Sequence, residues 1–170
     1  MRQGQSWKLA TRRPESWGSH SEKQPNSPSR KIPDFMTEFN VTKADCEGPL
    51  HPMAVRGFEL FNEGRYWHAH EALEEAWLEE TGVVRNLYRG ILQAGVVYLH
   101  VERANYPGMV KVYHRSRRWL DPFPDVCRGV QVGQLRRDVE AVFAEAERLG
   151  PEGLGEINRG MLKSLQYKSE

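Results

Sequence analysis

Two histidines and three carboxylates stand among aromatic side chains in Gly64-Arg65-Tyr66-Trp67-His68-Ala69-His70-Glu71-Ala72-Leu73-Glu74-Glu75-Ala76-Trp77. Imidazole and carboxylate together can ligate a divalent metal or move a proton, and Trp67 and Trp77 could wall a pocket around a substrate. On a helical wheel of about 100° per residue, Tyr66, Trp67, His70, Leu73, Glu74 and Trp77 fall on one face. His68, Glu71, Glu75 and Glu79 fall on or near the other. An ionised carboxylate among aromatics is costly unless paired or coordinated, so Glu74 is the residue that needs explaining. His70 lies one turn before it, an i,i+4 pair able to hydrogen-bond or chelate.

Further ligands must come from a neighbouring helix, and Val83 to about Arg103 is the obvious supplier. Asn86, Arg89, Gln93 and His100 form a narrow polar stripe on this otherwise apolar cylinder. If the stripe faces the second helix, His70, Glu74 and His100, with Glu71 at the edge, make a nitrogen and oxygen set suited to zinc, iron or manganese. The same four residues could act as acid and base, with Trp67, Trp77, Arg89, Gln93 and Asn105 holding substrate. If instead His70 and Glu74 satisfy one another or a helix end, they only fix how the hairpin packs. His70-Glu71-Ala72-Leu73-Glu74 approaches the HExxH zinc-protease helix, but a glutamate stands where the second histidine belongs. No Glu-x-x-His pair, Gly-rich phosphate loop or GxSxG elbow occurs. Arg115-Ser116-Arg117-Arg118 beside Trp119 could touch phosphate, yet such a run reads first as a solvated helix face, and nucleic acid is not the expected partner.

The elements that would position these groups are all helical. Pro52 opens a short first helix whose apolar face is Met53, Phe58, Leu60 and Phe61, and Asn62-Glu63-Gly64 breaks it. Tyr66 to Glu80 follows, stopped by Thr81-Gly82. The helix from Val83 is the most apolar of the chain and belongs at the centre. Asn105 caps a fourth helix, with Pro107 in its first turn, that ends before Pro122. A fifth, roughly Gln131 to Leu149, ends at Gly150-Pro151, and a short helix over Leu154 to Leu165 could follow. Nothing alternates with period two, so no sheet is expected. The fold class is all-α: a bundle or irregular array of five to six helices.

The chain has 170 residues, enough for one domain and a tail. Residues 1–48 read as a basic tail and lead-in, disordered where Ser, Pro, Arg, Lys and Gln dominate, and 49–170 as a single helical domain. Met36 is an alternative start, so residues 1–35 need not belong to the native protein. The net charge is +1, which gives no global reason to expect nucleic acid or an anionic membrane as partner. No run of about 18 apolar residues could span a membrane. Cys46 and Cys127 fit no CxxC pattern and are too few for a disulfide framework, which points to a reducing, cytoplasmic setting.

Gly64-x-Tyr66-x-x-x-His70-Glu71-x-Leu73-Glu74-Glu75-x-Trp77, then Leu87-Tyr88-x-Gly90-Ile91-Leu92-Gln93-Ala94 with Tyr98-Leu99-His100, then Asn105-x-x-Gly108, resemble the helical family called domain of unknown function 309. The likeness covers about Pro52 to Leu120 well and runs more loosely to Leu149. It implies a compact all-α protein of prokaryotic type with no established activity, in which His70, Glu71, Glu74, Gln93, His100 and Asn105 match the polar motif. His68 and Met109 depart from that pattern beside the motif. Gly64-x-Tyr66-x-x-Ala69 also resembles a tetratricopeptide-like turn, but no second copy appears at a period of about 34 residues. Two functions follow: a non-catalytic interaction or scaffold domain with a buried His/Glu/Gln network, or a metal-dependent or acid/base enzyme acting on a small molecule around His70, Glu74 and His100. A divalent metal and a homo-oligomer are both open.

Overall fold

Proline, glycine and asparagine punctuate the chain where its helices start and stop. The computed structural model describes residues 39–168. The basic tail and the alternative start at Met36 lie outside them. Five α-helices follow in order: α1 (Pro52–Asn62), α2 (Tyr66–Glu79), α3 (Arg85–Glu102), α4 (Tyr106–Leu120) and α5 (Val132–Gly153). No strand forms among the described residues, only two isolated bridges, Cys127 with Val130 and Val130 with Tyr167. The all-α expectation holds.

Pro52 begins α1, and His51 caps it by accepting the Met53 N–H at Nδ1, 3.2 Å away. The other ring nitrogen, Nε2, lies 3.1 Å from the Glu79 carboxylate, which ties the start of α1 to the end of α2. Gly64 supplies the left-handed turn between them at φ +73°. A Cβ at Gly57 would lie 2.6 Å from Leu73 Cγ, so glycine is what lets α1 and α2 approach this closely.

The helix α3 is central, as its sequence predicts. Leu87, Tyr88, Ile91, Ala94, Val97, Tyr98 and Val101 are fully buried in it. Its glycines admit neighbours on both sides: Gly95 backs onto Phe61 of α1, and Gly90 onto Leu120 and Trp119 of α4. Tyr66 packs edge-on against Tyr98, 5.5 Å between centroids, and Trp77 lies against Arg85 and Arg89, so α2 and α3 run antiparallel. Helix α5 covers α4 through a parallel stack of Tyr113 on Phe143 at 3.8 Å. Gly150, at φ +73°, kinks α5 where the sequence ends it, and the chain resumes one helical turn from Pro151.

Two expectations need correction. The helix anticipated over Leu154 to Leu165 is two short 3₁₀ turns, Leu154–Glu156 and Arg159–Met161. Asn158 interrupts the run by taking the Gly160 N–H at 2.8 Å, and Asn62 of α1 clamps Leu165 through paired backbone bonds of 3.0 and 2.7 Å. Cys46 and Cys127 are joined in a disulfide across 81 residues, so they are not the separate reduced thiols expected from their number. The fold brings the lead-in against the loop before α5. Arg128, at φ +45°, holds them together: its N–H donates to Cys46 O (3.0 Å), and its guanidinium donates to Asp45 O, Pro49 O and Glu80.

Candidate functional site

Helix α2 carries Glu71, Glu74, Glu75 and Glu79, and which face it buries is decided by its small residues. Tyr66, Ala69, Ala72, Leu73 and Ala76 point inward. Alanines let α2 settle closely on α1 and α3, and this rotates the buried stripe away from the one centred on the tryptophans. Glu74 is therefore exposed, with Glu71, His68 and Glu75, and Trp67 is 41% exposed. The placement of Glu74 on a buried aromatic face is thus overturned, and with it the need to pair it. His70 is half-buried and stacks in parallel on Trp67, 5.7 Å between centroids. Its Nδ1 is buried without a hydrogen-bond partner among the described residues.

His100, at the end of α3, has different work. Asn105 caps α4 by accepting the Gly108 N–H at Oδ1 (3.1 Å), which turns its amide nitrogen toward His100 Nδ1 at 3.0 Å. Only a deprotonated Nδ1 can accept that bond, so His100 carries its proton on Nε2. Burial, and then the Arg103 charge, hold its pKa below the usual histidine value. A Cβ at position 108 would come within 2.6 Å of Asn105 Nδ2 and 2.7 Å of His100 Cε1. The His100, Asn105 and Gly108 positions of the motif together form the α3–α4 corner. Among the described residues no three His, Cys, Asp or Glu side chains converge as a group able to hold a metal, so His70, Glu74 and His100 are not assembled as ligands.

The polar stripe of α3 is half-buried at Asn86, Arg89, Gln93 and His100. Arg89 is where it meets both neighbours. The Arg89 guanidinium lies 4.9 Å from the Trp77 ring of α2 and 4.2 Å from the Trp119 ring of α4. Arg85 lies 5.3 Å from Trp77, Arg118 lies 5.6 Å from Trp119, and Phe39 stacks on Trp119 at 6.0 Å. Aromatic and guanidinium groups thus assemble across three helices and the lead-in. Cation–π contact of this kind contributes about 0.5–2 kcal/mol per pair and fixes the plane of the guanidinium. Burial first, then the charges of Arg118, Arg85 and Arg115, lower the Arg89 pKa from its ordinary value.

Of the groups the sequence nominates for substrate, Trp77 and Arg89 are brought together, while Trp67 and Asn105 are placed elsewhere by their contacts with His70 and His100. Arg85, Arg115, Arg118 and Trp119 were not nominated. For Arg115, Arg118 and Trp119 the signal is the basic run on α4, which gains meaning only once α4 lies beside α3; Arg85 stands outside that run, on α3.

No helix among the described residues is long and apolar enough to cross a membrane. Residues 54–112 match the model of the family described as domain of unknown function DUF309. Over 88 residues, 51% of this chain, the sequence is 28% identical to a protein of Aquifex aeolicus (strain VF5) named only as uncharacterized, and the match spans 26% of that relative's length. The match runs from α1 into α4 and bears out the likeness carried by the His70, Gln93 and Asn105 motifs: through these helices the chain resembles the domain of unknown function 309 family.

Proposed function

We propose that this chain is a non-catalytic helical interaction domain that takes an anionic partner on the face shared by α2, α3 and α4. One observation carries the reading. Arg89 is half-buried against Trp77 and Trp119 and faces no carboxylate among the described residues, while the half-buried Arg117, Arg128 and Arg136 each face one. A half-buried charge that folding leaves uncompensated is suited to a charge supplied from outside. Two motif residues, His100 and Asn105, are occupied in a helix corner, which supports a binding role over acid/base work by them.

Salt-dependent retention on heparin tests the proposal. Wild type is expected to elute at higher salt than Arg89→Met, and Arg148→Gln, which removes the same charge from α5, is expected to elute with wild type. Equal elution of wild type and Arg89→Met would sink it.

A second reading, acid/base chemistry at His70, rests on its Nδ1, which is buried without a hydrogen-bond partner among the described residues. Imidazole NMR checks it: a His70 that stays in one tautomer and does not titrate between about pH 5 and 8 rules it out.

A further inference from the structure

The ligand chemistry of the Arg89 face can be taken further than its sign. Resting on the proposed anionic interaction, we infer that this face is a receptor for a phosphate monoester dianion, gripped by Arg89 with Arg85, Arg115 and Arg118 around it. The Arg89 guanidinium lies against the indoles of both Trp77 and Trp119. What it offers an anion is its N–H edge, where the donors form a planar fork that matches two oxygens of one group.

The number and layout of the charges select the group. Arg85 and Arg89 are one turn apart on α3, and Arg115 and Arg118 are one turn apart on α4. Arg85 and Arg89 both lie against the Trp77 ring, Arg89 and Arg118 both lie against the Trp119 ring, and the Arg115 charge also reaches Arg89, so the four charges gather around the two indoles. None of the four faces a carboxylate among the described residues. A carboxylate brings one charge, which leaves most of this focus unanswered. A phosphate monoester brings about −1.5 to −2 near neutral pH, with three acceptor oxygens for the surrounding guanidinium groups. A nucleic-acid strand would favour a charged track with open aromatic faces for its bases, and here Trp119 is already stacked with Phe39 and packed against Arg89.

Isothermal titration of the full chain with phenyl phosphate, benzoate and diphenyl phosphate, at equal ionic strength and about pH 7.5, tests the inference. Phenyl phosphate is expected to bind about tenfold tighter than either monoanion, and Arg89→Lys to lose about tenfold, because lysine has no fork. Arg118→Gln, at an exposed position, gives a second variant expected to weaken phenyl phosphate selectively should Arg89→Lys not fold. Inorganic phosphate distinguishes the source: equal affinity means free phosphate is sufficient, weaker affinity means an organic monoester, and both support the site. Benzoate binding as tightly as phenyl phosphate, still dependent on Arg89, would overturn the phosphate assignment and leave the anionic reading standing. No binding by any probe, or binding indifferent to both variants, would overturn the two together.

Discussion

Reducing the Cys46–Cys127 disulfide should cost this small helical domain a large part of its stability. The bond joins positions 81 residues apart, enclosing all of α1 to α4. In the chain-entropy account, closing a loop of that length removes about 4.5 kcal/mol of freedom from the unfolded chain. The native contacts that remain after reduction do not change this term, because it acts on the unfolded state: Arg128 still bridges Asp45, Pro49 and Glu80. Domains of this size are stable by about 5–15 kcal/mol in total, so the bond sets whether the fold persists in moderate denaturant. Urea unfolding with and without reductant, followed by far-UV circular dichroism, measures the difference. Cys46→Ser/Cys127→Ser in oxidising buffer should reproduce the reduced curve. The expected loss is about 2–5 kcal/mol. Coincident midpoints for oxidised and reduced protein would refute the reasoning. A loss in reductant that the double variant does not reproduce would place the effect elsewhere.

Three further outcomes follow from the geometry. Gly108→Ala should destabilise by about 1–2 kcal/mol in thermal or urea unfolding, since its Cβ would displace the Asn105 cap, and Asn105→Ala should cost a similar amount. His100 has a depressed folded pKa, so its neutral form is favoured by folding. That contribution is fully present above the ordinary value of about 6.5 and is lost as pH falls through the folded pKa. Stability measured from pH 7 downward should show this loss, and His100→Gln should flatten it. Arg89→Met should change the melting temperature little, because the loss of its contacts with Trp77 and Trp119 is offset by relief from three like charges, and wild type should gain more stability from added salt than the variant does. A strongly destabilised Arg89→Met with unchanged salt response would show that Arg89 is a packing residue.

Most helix boundaries were legible because the residues that set them act locally. Pro52, Gly64, the Thr81-Gly82 stop, Asn105 and Gly150 each fix their own turn, and the structure places α-helix ends within a few residues of those signals. The C-terminal segment misled because its apolar spacing suggests a helix, while Asn158 takes a backbone N–H that a helix would need elsewhere. The inward face of α2 was harder. Trp67 and Trp77 carry far more apolar surface than three alanines, yet packing density rewards the small side chains that let helices touch. The disulfide was illegible because nothing local announces a contact across 81 residues. The Arg89 face was half legible: Trp77 and Arg89 stood out as binding residues, but joining them to Trp119 requires knowing that α4 lies beside α3 at Gly90.

An anion held at Arg89, on the face shared by α2, α3 and α4, would be felt first by the guanidinium N–H groups. Arginine side-chain NMR of the full chain, titrated with a heparin oligosaccharide, tests that binding most directly. The Arg89 Nε–H resonance is expected to shift and saturate together with those of Arg85, Arg115 and Arg118. Arg136 and Arg148, held by Asp125 and Glu145, should stay in place. Shifts of equal size across all the arginines, or an Arg89 signal that never moves, would contradict it.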